Sequence, residues 1–325
     1  MKVLIVGGAG YIGSHMVQML LERGHEPIVF DNLTTGYREA LLGAPLVEAD
    51  LANSSALDRV FEAHRFDGVM HFASFIQVGE SVSDPAKYYR NNVANTLGLL
   101  DAMHRHGARN FIFSSTAAIF GEPEYVPIDE KHPQQPINPY GFSKYVVERA
   151  LADYDRAYGL RSACLRYFNA AGADPQARIG ERHEPESHLI PLVLQVASGR
   201  RPNIQVFGQD YETPDGTCVR DYIHVVDLCE AHLLALDRLR VGGSSSAYNL
   251  GNGNGFSVKA VLDCAEQVTG TQIARVYAPR RAGDPAKLVA DSRLARLELG
   301  WAPCYDSLQT IIAHAWAWEQ RLCGR

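Results

Sequence analysis

Residues 3–13, VLIVGGAGYIG, decide how the rest of this 325-residue chain is read. An apolar run at 3–6 has the composition of a buried strand. Gly7, Gly10 and Gly13 follow at three-residue spacing, and a helical period then covers 12–23. Gly7 allows a tight turn after the strand. Gly10 lets the backbone approach a pyrophosphate. Gly13 lets the helix lie close to the sheet, with the helix N-terminus facing the anion. Glycine-rich turns are common and the spacing alone is weak evidence. The strand before it and the helix after it make a dinucleotide-binding turn the better reading.

Working outward, short β-rich runs alternate with longer helical periods. Residues 27–30, 46–49, 68–72 and 111–114 read as further buried parallel strands, and 161–167 as a sixth. Helix candidates lie at 56–64, 85–106 and 140–158. This rhythm predicts an α/β chain with a Rossmann-type doubly wound parallel sheet. After Phe168 the texture changes. Residues 172–187 are polar and loop-like, a helix is expected at 189–198, and strands at 204–207 and 218–224. A helix over 227–239 has Asp227 as its expected N-cap. GGSSS at 242–246 reads as a surface loop, and 257–269 as a helix capped by Ser257 and stopped by Gly270. Helices at 292–299 and 308–320 close the chain.

Asp31 ends the second strand, 18 residues after Gly13. A carboxylate there accepts hydrogen bonds from an adenosine ribose 2′-OH and repels a 2′-phosphate, which selects NAD. It is equally good turn chemistry for DNLTTG, and the spacing favours the first role. Asp50, after the third strand, is expected over the adenine. His71 sits at the fourth strand end, where a lone histidine is more often structural.

Tyr140 and Lys144, in NPYGFSK, lie one helical turn apart on one face. A tyrosine hydroxyl is a poor base at neutral pH, with an ordinary pKa of about 10. A neighbouring ammonium and a positive nicotinamide ring would favour the phenolate. Alone, the pair fits an ordinary amphipathic helix with a snorkelling lysine; joined to the glycine turn, it points to hydride chemistry at a carbinol carbon. FSSTAAIFG, 113–121, ends the fifth strand with Ser114, Ser115 and Thr116. Thr116 is the expected partner of the reacting oxygen, relaying its proton to Tyr140.

The bulk numbers narrow the classes. A formal charge of −6 argues against nucleic acid or an anionic membrane as partner. No apolar run approaches the roughly 20 residues of a membrane span. The N-terminal apolar run is too short for a signal peptide and reads as a strand. Six cysteines without C-x-x-C spacing suggest reduced thiols in a cytoplasmic protein, with no disulfides and no metal.

GGAGYIG, the SST strand end and Tyr-x-x-x-Lys resemble the extended short-chain dehydrogenase/reductase superfamily. HFASFIQVGESVSDPAKYYRNNVANTLGLLDAM, LRYFNAAGAD, ESHLIPLVLQVA, DGTCVRDYIHVVDLCEAH, YNLGNGNGFSV and APRRAGDPAKL are similar to the UDP-glucose 4-epimerase family, from residue 1 to about 290. The resemblance implies a UDP-hexose 4-epimerase, an isomerase that keeps NAD bound. Tyr140 takes the sugar 4-OH proton, the C4 hydride moves to NAD, and the 4-keto sugar turns over and receives it back on the other face.

The resemblance also implies site residues. Tyr11, Ile12, Asn32, Leu51 and Ser114 join the cofactor contacts, Asn91 and Lys144 hold the nicotinamide ribose, and Phe72, Ala73 and Phe168 pack round the nicotinamide. Asn169, Arg220 and Arg281 hold the diphosphate, with His188 beside them. Leu189, Gln205 and Phe207 frame the uracil, and Asp284 binds the uridine ribose. It implies a homodimer and a smaller, mixed α/β substrate-binding domain. The expected division is an NAD-binding Rossmann domain of 1–168 plus about 218–250, and a UDP-sugar-binding domain of about 169–217 plus 251–325. Two departures stand out. Threonine occupies a position where many members have serine. Leu288 aligns with a position that is tyrosine in some members and small in others, beside the sugar ring, so N-acetylated UDP-hexoses are expected as further substrates. Dehydratases of the superfamily place an Asp-Glu pair directly after the threonine, where this chain has Ala117 and Ala118. A non-catalytic NAD-sensing module would lose the Tyr or the Lys.

Overall fold

The computed structural model describes residues 1–281 and 284–324; Ala282 and Gly283, inside the quoted APRRAGDPAKL segment, and Arg325 lie outside them. The strands are β1 (Lys2–Val6), β2 (Glu26–Asp31), β3 (Leu46–Glu48), β4 (Gly68–His71), β5 (Asn110–Thr116), β6 (Arg161–Tyr167), β7 (Asn169–Ala171), β8 (Ile204–Phe207), β9 (Val219–Arg220), β10 (Tyr222–His224), β11 (Ser246–Leu250), β12 (Phe256–Ser257), β13 (Arg275–Ala278) and β14 (Lys287–Leu288). Seven form one parallel sheet in the order β11-β6-β5-β4-β1-β2-β3. The direction of winding reverses between β1 and β4. In such sheets the crevice beyond the strand C-termini at that reversal is where ligands sit.

The helices are α1 (Tyr11–Glu22), α2 (Ser54–Ala63), α3 (Val78–Ser83), α4 (Pro85–Tyr88), α5 (Asn95–Arg105), α6 (Pro139–Tyr158), α7 (Leu189–Ala197), α8 (Val225–Arg240), α9 (Val258–Thr269), α10 (Arg293–Leu299) and α11 (Leu308–Leu322). They cover both sheet faces, as strand alternation requires. On β1, Val3 and Ile5 join a core with Met16 and Leu20 of α1 and Leu228 and Leu236 of α8. Leu4 and Val6 face the other way, onto Leu57, Leu100, Val147 and Leu151. Each fully buried aliphatic side chain contributes roughly 1.5–3 kcal/mol. A third core joins α7, α9 and α11 through Val193, Leu194, Leu262, Ile311 and Ile312.

The short elements β7, β12, β13, β14 and α3 were not expected, and four further points differ from expectation. The helix expected over 85–106 is interrupted: α4 runs into a π-helical stretch, Tyr89–Ala94, before α5. The strand expected over 218–224 breaks at Asp221, whose buried carboxylate accepts from the backbone N–H groups of Asn252, Gly253 and Ala290 and so divides β9 from β10. Asp227 is not an N-cap. His224 caps α8 through Val226 N–H, and the Asp227 carboxylate accepts from Cys304 and Tyr305 backbone N–H. Strand β11 was not expected; only its first residue, Ser246, fell within the GGSSS loop reading. Ser257 and Gly270 do cap α9 as expected.

Four buried histidines, His15, His71, His224 and His232, have lowered pKa values and make the fold sensitive to acid. Burial, aided by the Lys144 charge, lowers His71 to about 3, and burial lowers His15 and His232 to about 4. Their ordinary value is 6.5. Below that pH the unfolded chain takes up protons that the fold does not, so the stabilisation present above pH 6.5 is lost as pH falls toward 4. Each histidine alone accounts for on the order of 1.4 kcal/mol per pH unit in that window. Urea unfolding should therefore show a lower midpoint at pH 5 than at pH 7; an unchanged or higher midpoint would remove these histidines from the balance.

Candidate active site

The turn between β1 and α1 is closed by contacts that only glycine permits. Gly7 has φ +80°, and a Cβ there would overlap the backbone of Ala73 just beyond β4. A Cβ on Gly13 would overlap the carbonyl oxygen of Gly7. A Cβ on Gly10 would meet only Gly7 O, at 3.6 Å, so the α1 N-terminus stays open. This is a cradle fitted to a pyrophosphate, with free N–H groups of the first helical turn above it. Ala9, Gly10, Tyr11 and Tyr37 line a cleft along it.

Asp31 ends β2, and its carboxylate accepts from Ala9 N–H at 2.9 Å and Leu33 N–H at 2.8 Å. Burial pushes its pKa up and these two bonds oppose that. Each oxygen has one protein donor and keeps capacity for a ligand hydroxyl. Asp50 is tied to Asn32, whose amide donates to it at 2.6 Å, so the two acidic positions share one end of the cleft. Leu51 lies in the core beneath. Tyr11 donates its hydroxyl to Gly172 O at 2.7 Å, and Ile12 follows it in α1.

Tyr140 and Lys144 occupy the first turns of α6 and are buried. Asn138 caps this helix, accepting from Gly141 N–H at 2.8 Å, and Pro139 occupies its first position. A Cβ on Gly141 would stand 2.5 Å from Ala118 O. Gly141 therefore lets α6 begin against the turn that follows Thr116. Burial raises the Tyr140 pKa, and a hydrogen bond with Thr116 works against it. The Lys144 ammonium donates to Ser114 O at 2.9 Å and stands 4.9 Å from the centre of the Phe113 ring. The expected order of effects on Tyr140 is thus changed: burial dominates and Thr116 is the group that opposes it. Lys144 itself is lowered to about 7 by burial, with the Glu148 charge acting the other way.

Glu148, one turn beyond Lys144, was missed by sequence reading. It accepts from Ser115 Oγ at 2.5 Å and from Arg166 at 2.6 Å, both ionic side chains being 6% exposed. The four-residue spacing of 140, 144 and 148 was its only signal. His232 of α8 was also missed. Its Nδ1 lies 2.8 Å from Leu228 O and its Nε2 2.9 Å from Ser114 Oγ. Burial keeps the ring neutral. Nδ1–H then donates to the carbonyl and Nε2 accepts from Ser114. The ring stands 4.9 Å from Phe72 and so supports one wall of the pocket. His71 bonds Thr96 Oγ1 at 2.8 Å, deep in the sheet, consistent with a structural role.

The π-helical stretch carries Asn91 and Asn92 toward α6. Asn92 bonds Ser143 Oγ at 3.2 Å and the backbone of Phe75, while Asn91 donates to Asn92 Oδ1 at 2.9 Å. Ser143 in turn donates to Tyr140 O at 2.7 Å. Such bulges recur at functional sites because they turn side chains off the regular helical path.

The residues expected at a substrate lie on other elements. Arg220 of β9 pairs with Asp284, and faces Leu288 of β14 across the strand pair. The Arg281 guanidinium lies 3.9 Å from the Phe207 ring centre. Gln205 and Phe207 lie on β8, held by β13. Asn169 donates to Asp221 O at 3.1 Å. Leu288 and Phe168 pack on Ala117, Ile119 and Phe120, directly behind Thr116. Leu189 opens α7 and His188 caps it without a side-chain bond to the helix; the His188 imidazole instead meets Glu181 and Glu186. A hollow of about 530 Å³ around Tyr125, Asn252 and Asp291 is lined by none of these residues.

The model of the NAD dependent epimerase/dehydratase family matches residues 3–251, and the chain belongs to that family. A curated UDP-glucose 4-epimerase of Halalkalibacterium halodurans is 53% identical over 98% of this chain and 96% of its own length. The structure of a UDP-glucose 4-epimerase from Brucella ovis in complex with NAD is 48% identical, with TM-score 0.95 over 97% of both chains. The UDP-Glc/GlcNAc 4-epimerase of Campylobacter jejuni is 43% identical, with TM-score 0.87 over 98% of this chain and 99% of that one.

Proposed function

We propose that this chain interconverts UDP-glucose and UDP-galactose by epimerisation at C4, with NAD as its resident cofactor. The observation that carries this reading is the start of α6 against the turn after Thr116, which brings Tyr140 and Lys144 to the end of β5, with alanines at 117 and 118. Water elimination needs an acid and a base at those two positions, and alanine supplies neither. The epimerase relatives, similar over nearly their whole length, support the same choice.

In this reading Gly7, Gly10 and Gly13 admit the pyrophosphate, and Asp31 takes the adenosine ribose. Asn91 and Lys144 hold the nicotinamide ribose, with Phe72, Ala73 and Phe168 around the ring. When bound, NAD supplies the acceptor and later the donor of the C4 hydride. Thr116 hydrogen-bonds the sugar O4, and Tyr140 takes its proton and then returns it. The buried position of Tyr140 keeps that proton from bulk water. Lys144, its charge sustained by Glu148, favours the phenolate. Arg220, Arg281 and Asn169 hold the diphosphate, Asp284 the uridine ribose, and Leu189, Gln205 and Phe207 the uracil.

We assign the protein to the cytoplasm, where its six unpaired cysteines, Cys304 exposed among them, suit a reducing medium. We also propose a homodimer through α3, the π-helical stretch and α6. There Val78, Val82, Tyr89 and Phe142 expose apolar surface, and the Tyr89 and Phe142 rings meet edge to face at 6.3 Å. Light scattering should give twice the 35.8 kDa chain mass, and Val82→Arg should weaken the association. A wild-type monomer at micromolar concentration would discard this interface.

Tyr140→Phe keeps the ring and removes the proton acceptor. Turnover of UDP-galactose without added reductant should fall on the order of 10²–10⁴-fold, with NAD content near wild type. A variant retaining more than about a tenth of the activity would remove Tyr140 from this role.

Leu288 bears on the hexose. A tyrosine there would crowd a C2 acetamido group, whereas leucine is shorter and offers its methyl an apolar contact. We therefore propose activity on UDP-N-acetylglucosamine and UDP-N-acetylgalactosamine as well, with selectivity of only about 1–3 kcal/mol. Leu288→Tyr should lose the N-acetylated substrates and keep the plain ones. Equal losses on both, or no wild-type turnover of UDP-N-acetylglucosamine, would show that Leu288 is not the gate.

A further inference from the structure

Between Gly180 and α7 the chain reads ERHEPESHL, and four of its side chains turn inward on one point. Glu181, His183, Glu186 and His188 each offer a ligand atom, all within 4.8 Å of one another. His183 Nδ1 lies 3.2 Å from Glu181 Oε1 and 3.5 Å from Glu186 Oε2. His188 Nδ1 lies 2.8 Å from Glu181 Oε1 and 2.9 Å from Glu186 Oε1. Four ligands round a zinc ion, at roughly 2.0–2.2 Å each, stand about 3.4 Å apart in a tetrahedron. The His183 separations match that spacing, while His188 Nδ1 sits at hydrogen-bond distance from Glu186 Oε1.

Two further observations bear on what holds this cluster together. His183 Nδ1 is buried, has two carboxylates within 3.5 Å, and hydrogen-bonds neither. That nitrogen is thus left without a hydrogen-bond partner beside two carboxylates. The two carboxylates are only 6% and 5% exposed, and among the described residues they pair with no lysine or arginine. Two buried negative charges need two positive charges beside them. Either both imidazoles carry a proton, or one divalent cation takes their place.

We infer that Glu181, His183, Glu186 and His188 form a structural binding site for a divalent transition metal, zinc by its nitrogen and oxygen ligand set. Two neutral imidazoles and two carboxylates balance the charge of the ion. The imidazoles, 21% and 38% exposed, leave it a path from solvent. The surroundings are already braced. Glu186 Oε1 accepts from Ser187 and His188 N–H, and the Trp318 indole of α11 donates to Glu181 O at 2.9 Å. Tyr11, the first residue of α1, stands edge-on to the His183 ring at 6.3 Å. The ion would thus tie α7 and α11 to the first turn of the dinucleotide-binding helix, fixing a segment that otherwise has little regular structure. The inference does not depend on the proposed activity.

The test is metal content and stability, independent of turnover. Chain produced with added zinc sulfate and desalted into zinc-free buffer should carry close to one zinc per chain by elemental analysis. Dipicolinate should strip it and lower Tm by roughly 5 °C, and zinc sulfate should restore both. His183→Ala and Glu181→Gln should bind about tenfold less zinc or lower still, with Tm insensitive to chelator. Cobalt(II) in place of zinc should give the intense visible bands of a four-coordinate ion. Absence of zinc from the wild-type chain, with no response of Tm to zinc or chelator, would overturn the site and leave a proton-held network. Equal zinc in wild type and His183→Ala would place the ion elsewhere and overturn it too. The chelation arm uses the wild-type chain and stands even if a variant fails to fold.

Discussion

The close approach of α1 to the ends of β1 and β4 is the constraint on which the site rests. It comes down to two missing methyl groups. At Gly7 a side chain would collide with the backbone of Ala73, and at Gly13 with the carbonyl of Gly7. Without that approach the helix N-terminus would stand away from the sheet and the pyrophosphate would lose its N–H donors. Asp31 then locks the turn from the β2 side by accepting from Ala9. Helix α6 uses the same device. Gly141 lets α6 start against Ala118, and so brings the first turn of α6 to the end of β5.

Polar side chains around this frame are few, buried and almost fully paired. Burial lowers Lys144 to about 7, the charge of Glu148 one turn away opposes that, and Glu148 is itself held by Ser115 and Arg166. His232 serves differently: as a neutral ring it orients Ser114 and supports Phe72 without adding charge.

Much of this was legible in the sequence, for physical reasons. Buried parallel strands are continuous apolar runs, so β1, β2, β4, β5 and β6 declare themselves, and the glycine spacing fixes the turn. Tyr140, Lys144 and Asp31 follow from spacing within or after those elements. What escaped depends on contacts distant in sequence. β11 is a strand only because β6 offers it a partner. Asp221 interrupts a strand because three backbone N–H groups from elsewhere converge on its carboxylate. The π-helical stretch keeps a helical composition while shifting its side chains. The histidine–carboxylate cluster was passed over because metal ligands were sought among cysteines.

β11 has a consequence for how the polypeptide is made. The sheet's last strand arrives some 80 residues after the strand it pairs with, on the far side of α7, β8 and α8. While the chain is emerging from the ribosome, β6 presents a bare row of N–H and C=O groups, flanked by buried aliphatic residues, until Leu250 has been added. An unprotected edge of that kind recruits strands from other molecules. Any fragment or premature stop that ends short of Leu250 should therefore be lost to aggregation, even though the dinucleotide turn, the tyrosine and the lysine would all be present.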